Sequence, residues 1–389
     1  MKFAAPIRLF AFLTLFISFA ANAESLNCQQ HQCMAVVDAG STGTRLHVFE
    51  YDFDKTQTPI NIKELWTKKI KPGLATLEPT QAAIDLYLSS LFLDAPTEKI
   101  PTYFYSTAGM RLLSQPKQKQ VYNLVEKWFA KWPQWELRSA KTISGADEGL
   151  FAWLVVNHQL GKLNSDEKTP VGVMDMGGAS VQIIFPVENT EGLNNSDLVE
   201  FELYGKHRKL FIHSFLGLGQ TEVSHQYLDV ASCFSNNYQL TDGLAAAGDA
   251  GTCEKEISLL INEVHRVNPL VQPVLAENPV NQWYVLGGMA ELAQTKPFQF
   301  EAKQFTNQSL LDQANSLVCQ QQWPTLIAQY PSNDYLYGYC LFPSYYYALM
   351  VEGYGIQPNQ LINYITSNQG GDWPLGVVLR QQDRGLNSL

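Results

Sequence analysis

Eight consecutive residues near the start of the chain, Asp38-Ala39-Gly40-Ser41-Thr42-Gly43-Thr44-Arg45, bring together a carboxylate, glycines, hydroxyls and a guanidinium. A turn of this composition aims several backbone N–H groups at one point, which makes a nest for an anion. A second stretch, Asp175-Met176-Gly177-Gly178-Ala179-Ser180-Val181-Gln182, repeats the order. Superimposing Asp38 on Asp175 lays Gly40 on Gly177 and Arg45 on Gln182, a repeat spaced by 137 residues. That spacing is far too long for a solenoid and points to two duplicated domains, each opening with the same hairpin. Facing one another, the two turns would clamp a phosphate chain from both sides. Asp38 and Asp175 would then share one cleft, where two carboxylates suit a hard divalent cation, Mg²⁺ or Ca²⁺, that keeps several of its waters.

Phosphoryl transfer asks for charge neutralisation and an aligned nucleophile. Arg45 and Arg111 each follow a small-residue turn and can supply fixed positive charge, although an arginine such as Arg111 also fits an exposed surface. An attacking water needs a base. Glu148 sits in Ser144-Gly145-Ala146-Asp147-Glu148-Gly149 at the head of an apolar helix. There it reads either as a general base or as a first-turn glutamate serving the helix dipole and sharing the cap with Ser144.

The elements that must position these groups are legible in outline. Ala35–Val37 runs into the first turn and Leu46–Phe49 resumes it; Val171–Met174 and Val181–Phe185 do the same around the second turn. Both patterns are strand, polar turn, strand. Thr102–Thr107 is a strand running into Ala108-Gly109-Met110-Arg111. Val121–Trp132 has helical spacing and stops at Pro133, and Leu150–Leu160 is a helix with Ser144 as its cap. Strands alternating with helices predict an α/β protein with mixed sheets. A polar loop is expected over 189–197, and irregular aromatic decoration over 315–347. Trp283–Leu286 followed by Gly287 and Gly288 is a strand whose end lets a ligand approach backbone closely. Tyr335 and Tyr339 either stack on a flat ligand or pack around a disulfide. Trp373 is read as core.

The chain has 389 residues, 46% hydrophobic, which is enough for two folded domains. Its formal charge of −10 disfavours a polyanion-binding face, so nucleic acid is not an expected partner. Lys2 and Arg8 precede the apolar run Leu9–Ala20, and Ala21-Asn22-Ala23 follows. These are the parts of a secretory signal peptide over residues 1–23, and no later stretch reads as a membrane span. Six cysteines remain, and pairing 28–33, 233–253 and 319–340 closes the smallest loops, as structural staples in an oxidising compartment. With two of those pairs in it, the second half is expected to be the loop-rich one. Two Asn-x-Ser sequons, at Asn194 and Asn307, are the remaining motifs.

DAGSTGTR (38–45), STAGMR (106–111), ISGADEG (143–149) and DMGGASVQ (175–182) resemble, in order and spacing, the first four motifs of the ecto-nucleoside triphosphate diphosphohydrolases, or apyrases. Leu286-Gly287-Gly288-Met289 and Trp373-Pro374-Leu375-Gly376 are a less sharp match to the fifth. The resemblance implies two RNase-H-like lobes of the actin, Hsp70 and sugar-kinase type with the active site between them. It implies lobes formed by 24–155 plus 364–389 and by 156–363. It makes Glu148 the base, with Ser180 and Gln182 placing the water. Ser41, Thr42, Gly43, Thr44 and Gly177–Ala179 become the phosphate loops, Asp38 and Asp175 hold the metal through water, and Thr107, Ala108 and Arg111 line the cleft. The expected enzyme is a secreted or periplasmic monomer, without the terminal membrane spans of the animal cell-surface members. Its expected reaction is hydrolysis of nucleoside tri- and diphosphates. A polyphosphate or guanosine-pentaphosphate phosphatase of the same fold, and a secreted nucleotide-binding module without catalysis, are the alternatives.

Overall fold

A computed structural model describes residue 28 and residues 30–96, 98–165 and 169–382. The signal peptide expected over 1–23, and the last residues of the first lobe as expected, lie outside the described residues. Two mixed sheets carry the fold. The first orders its strands β3-β2-β1-β4-β5, with β1 Gln32–Ala39, β2 Thr44–Phe53, β3 Pro59–Ile70, β4 Ile100–Ser106 and β5 Trp135–Thr142. The second orders β11-β12-β10-β6-β7-β9-β8. Here β6 is Gly172–Met176, β7 Ser180–Pro186, β8 Leu198–Leu203, β9 Lys206–Leu216, β10 Trp283–Gly287, β11 Gln304–Thr306 and β12 Leu361–Tyr364.

The duplication seen as a motif repeat is also a repeat of topology. In the first sheet β1 pairs antiparallel with β2 and parallel with β4, and β2 pairs antiparallel with β3. In the second, β6 pairs antiparallel with β7 and parallel with β10, and β7 pairs antiparallel with β9. Register carries the likeness to single residues. Asp38 stands opposite Arg45 and Asp175 stands opposite Gln182, the same positions that the sequence superposition matched. The α/β fold with two RNase-H-like lobes is therefore borne out.

Helix α1 (Gln81–Phe92), the single turn α2 (Ala108–Arg111) and α3 (Gln115–Phe129) belong to the first lobe. The amphipathic α3 buries Val121, Val125, Trp128 and Phe129. It begins six residues earlier than expected, because Pro116 fits a first helical turn, and it ends at Phe129, ahead of Pro133. Helix α4 (Gly145–Gln159) is different: every residue from Glu148 to Asn157 is buried. A helix apolar all round must be covered on all sides. It packs on β6, β7 and β9 and against the C-terminal helix Pro374–Leu379, and it contributes to a core that also takes Met34, Val36 and Phe49 from the first sheet. The lobe boundary expected after residue 155 thus falls within a continuous helix.

Two expectations need correction. The segment 315–347 is mostly helical, including the helices Trp323–Gln329 and Leu341–Tyr347, and Tyr345 and Tyr346 are fully buried in the largest core. Apolar residues on every side of a segment erase the periodicity that marks a helix. The second half is correspondingly helix-rich, where the cysteine placement led us to expect loops. The three disulfides form as paired, 28–33, 233–253 and 319–340. Asn194 is exposed, whereas Asn307 is 1% exposed at the start of a helix. No helix among the described residues is long and apolar enough to cross a membrane.

Candidate active site

A cleft of about 1080 Å³ opens between the lobes. Its walls are the two hairpin turns, the β4–α2 junction, the head of α4 and the end of β10. The N–H groups of Ser41, Thr42, Gly43, Gly178 and Ala179 enter no backbone hydrogen bond among the described residues. The carbonyls around the second turn are instead taken by Gln220, Thr221 and Gly217 N–H groups at 2.9 Å each. Each turn therefore offers free donors, as an anion nest requires. The two turns approach closely: a Cβ on Gly178 would lie 2.5 Å from Ser41 Oγ and 2.8 Å from Thr42 Cγ2. Gly287, at the end of β10, has φ +62°, and a Cβ there would meet the Met176 carbonyl at 2.3 Å. Glycine is required on both counts.

Glu148 is 7% exposed yet borders the cleft. The cap of α4 does not use it. Ser144 Oγ accepts from Asp147 N at 3.0 Å and Asp147 Oδ2 accepts from Ser144 N at 3.3 Å, so Asp147 completes the capping box. Glu148 Oε2 is instead ion-paired with Arg111 Nη2 and lies 3.2 Å from Gln182 Nε2. Oε1 has no hydrogen-bond partner among the described residues. Arg111 also donates to Ser180 Oγ and Ser214 Oγ, each at 3.3 Å. Gln182 Nε2 lies 2.8 Å from Ser180 Oγ and 2.9 Å from Ser214 Oγ. One carboxylate oxygen is thus fixed by a polar network and the other is left over. Burial raises the Glu148 pKa and the Arg111 charge opposes the rise.

Asp38 and Asp175 sit at the ends of β1 and β6. Burial pushes the Asp38 carboxyl up to about 8, with the Glu148 and Asp372 charges adding to the rise, and Arg45 and Lys69 opposing it. Asp175 is raised well above the usual range by burial and by Glu148, Asp372 and Asp38. Asp38 Oδ1 is buried without a hydrogen-bond partner.

Most residues expected at the site border the cleft: Asp38, Ser41, Thr42, Gly43, Arg45, Thr107, Ala108, Glu148, Asp175, Gly177, Gly178, Ala179, Ser180, Gly287, Gly288, Tyr335 and Tyr339. Thr44 does not. It is fully buried and its hydroxyl accepts from Tyr87 at 2.9 Å, because strand alternation turns it into the first lobe. Arg111 and Gln182 stand behind Glu148 rather than on the cleft wall. Arg45 is ion-paired to Asp372. Tyr339 is 5% exposed and packs on Phe298, while Tyr335 is 42% exposed with the Lys71 ammonium 5.7 Å from its ring centre. Trp373 is buried as expected and stacks on Phe151, with an edge on the cleft. Ser214, Asp372 and Lys69 belong to the site and carry no motif; only register and chain return bring them there.

The fold matches solved structures across most of its length. A nucleoside triphosphate hydrolase of Neospora caninum superposes with TM-score 0.62 at 14% identity, covering 90% of this chain and 92% of that one. A Ppx/GppA family protein of Aquifex aeolicus superposes with TM-score 0.55 at 14% identity, covering 90% and 97%. In sequence the chain is similar to mouse ectonucleoside triphosphate diphosphohydrolase 8, 29% identical over 88% of this chain and 81% of that one. It is 26% identical to probable apyrase 3 of Arabidopsis thaliana over the same shares. The model of the GDA1/CD39 (nucleoside phosphatase) family matches residues 25–259, which hold both duplicated turns and Glu148. On that match the chain belongs to the GDA1/CD39 nucleoside phosphatase family.

Proposed function

We propose that this chain hydrolyses the terminal phosphates of nucleoside tri- and diphosphates, releasing orthophosphate and ending at the nucleoside monophosphate. The observation that carries this reading is Glu148: a buried carboxylate with Oε2 fixed by Arg111 and Gln182 and Oε1 unbonded, beside two turns with free N–H groups. A water held by Glu148 and Ser180, both braced from behind by Gln182, attacks the terminal phosphorus. The new P–O bond forms as the bond to the bridging oxygen breaks, and the water's proton passes to Glu148. The negative charge stays on the leaving phosphate. The loops at 41–43 and 177–179 hold the phosphoryl oxygens. Tyr335 and Tyr339, with the Gly287–Gly288 backbone, form the wall for the base.

The residues also fit a divalent cation. Two carboxylates held high in pKa, one with a bare oxygen, gain most from a hard positive charge. Among the described residues no three acidic, histidine or cysteine side chains converge tightly enough to hold an ion directly. Asp38 and Asp175 would therefore hold Mg²⁺ or Ca²⁺ largely through its waters. When bound, the ion neutralises phosphate charge. The three disulfides support action in an oxidising compartment, secreted or periplasmic.

The likeness to the Ppx/GppA protein favours a second reading, a polyphosphate or guanosine-pentaphosphate phosphatase. The paired disulfides argue against its cytoplasmic setting. A non-catalytic nucleotide-binding module would have no use for Glu148, Ser180 and Gln182, and all three are present. Phosphate release from ATP, ADP, GTP, UDP and inorganic polyphosphate, with Mg²⁺ or Ca²⁺ and with chelator, separates the readings. Turnover of polyphosphate alone overturns the first. Glu148→Gln should lose activity by about 10²–10⁴-fold while still binding nucleotide; a fully active variant removes Glu148 from the base role.

A further inference from the structure

The duplicated hairpins differ in one instructive way. Directly opposed residues on antiparallel strands share a face. Across β1, β2 and β3 the row beginning at Asp38 continues through Arg45 to Lys69. Across β6, β7 and β9 the row beginning at Asp175 continues through Gln182 to Ser214. The strands and positions correspond, and the chemistry does not. The second row is neutral after its aspartate, and its members hold Glu148 and Ser180 in place. The first row is cationic after its aspartate.

Within the first row Arg45 is already paired with Asp372. The Lys69 ammonium has no ion pair or hydrogen bond among the described residues, although the residue borders the cleft. Its Cε is 3.2 Å from where a Cβ on Gly43 would stand, so the side chain runs along the first phosphate turn. Lys68, one residue earlier, donates instead to the Leu93 carbonyl at 3.1 Å. Lys71, two residues on, reaches over Tyr335. Burial and the Arg45 and Lys71 charges disfavour the Lys69 ammonium while the Asp38 and Asp372 carboxylates favour it; with no direct partner of its own, it gains when a polyanion enters the nest.

We propose that Lys69 is a catalytic cation that contacts the phosphoryl oxygens seated in the Ser41–Gly43 turn, the counterpart in the first lobe of Ser214 in the water-holding row of the second. It transfers no proton; it takes up charge that spreads over the phosphoryl oxygens as the bridging bond breaks. The assignment of a catalytic role rests on the phosphohydrolase reading above.

The test uses the full chain with Lys69→Gln, Lys69→Arg and, on the same strand away from the cleft, Lys63→Gln. Two readouts are taken: phosphate release from ADP, and inorganic phosphate binding by calorimetry. For Lys69→Gln, kcat/KM should fall by about 10²–10³-fold and phosphate should bind at least about tenfold more weakly, a loss in the range of one charged hydrogen bond, with the thermal midpoint unchanged. Lys69→Arg should recover at least about tenfold in both, because it restores the charge, and Lys63→Gln should match the wild type. Equal impairment in the Gln and Arg variants, or phosphate binding unchanged in Lys69→Gln, overturns the proposal. If Lys69→Gln does not fold, the Arg variant decides, since it must keep phosphate binding within a few-fold of the wild type. Should the wild type release phosphate from no nucleotide, the hydrolase reading fails, while the phosphate-binding comparison still judges the Lys69 contact.

Discussion

Replacing Gly109 by alanine probes how tightly the first phosphate turn is held. Gly109 lies in α2, in a helical conformation that alanine adopts freely, so backbone strain does not arise. The added Cβ would stand 2.8 Å from Ser41 Cα and 3.1 Å from Ser41 Cβ. Carbon atoms in contact prefer about 3.5–4.0 Å, so the turn must retreat by roughly 1 Å. A shift of that size at a reacting group costs about 10²-fold in rate, or about 2.7 kcal/mol of transition-state stabilisation. Overpacking costs about 1–3 kcal/mol in stability, offset by the roughly 1 kcal/mol that alanine gains over glycine in a helix. The variant should therefore fold, with a thermal midpoint lowered by only a few degrees. The assay is kcat/KM for phosphate release from ATP and ADP. The control is Gly251→Ala, also helical, where the nearest atom to a new Cβ is Asp249 Oδ1 at 3.7 Å, an ordinary contact. A folded Gly109→Ala enzyme within about twofold of the wild type would refute the reasoning, because the turn would then tolerate a displacement that positioning should not. An equal loss in Gly251→Ala would refute it too, by showing that the effect is not local.

Removing the charge beside the base should move the pH profile. Arg111 holds the Glu148 pKa down against burial, so Arg111→Met raises it further. The base works ionised, so the acid limb of kcat/KM shifts to higher pH; an acid limb that stays put or moves down would contradict the pairing. Asp38 predicts a stability effect in the metal-free protein. Its folded pKa of about 8 exceeds the ordinary value of 3.8, so between those values the folded state holds the proton that the unfolded state has lost. Stability therefore falls as pH rises through that window, by at most about 1.4 kcal/mol per pH unit. Water in the cleft, to which Asp38 is partly open, reduces the slope. Thermal denaturation in chelator should show a flatter pH dependence for Asp38→Asn than for the wild type, and Mg²⁺ should raise the wild-type midpoint more at about pH 8 than at about pH 5. Parallel slopes for the two proteins would count against the buried, protonated Asp38.

What the sequence disclosed of this site depended on whether the information was local. The two turns were legible because their chemistry lies within eight residues each, and their duplication because glycine and aspartate recur in the same order. The superposition matched Arg45 with Gln182, and the structure adds that each stands opposite its aspartate. Glu148 was legible as a candidate and ambiguous in role. A glutamate near a helix start serves a cap as well as a base, and only the Asp147 side chain folded back on Ser144 frees it. Ser214, Lys69 and Asp372 lay beyond reach for another reason. Ser214 and Lys69 stand at the third strand of each hairpin, where the connecting loop no longer fixes register, and Asp372 returns to Arg45 across 327 residues. The aromatic segment 315–347 failed for want of contrast, since burial on every side removes the polar face that betrays a helix. The same limit bears on mechanism. Each lobe's motif advertises the group it shares with the other, the aspartate and the nest of N–H donors. What distinguishes the lobes begins at the last residue of each motif, Arg45 against Gln182, and is completed on the next strand of the row by Lys69 in one and Ser214 in the other. A duplicated fold makes a symmetric clamp, and hydrolysis needs an asymmetric one, with positive charge facing the phosphate and a neutral hydrogen-bonding row bracing the base that faces the water. That asymmetry is carried by the outer strands, so variants there should separate phosphate binding from water activation, whereas variants at Asp38 or Asp175 should impair both.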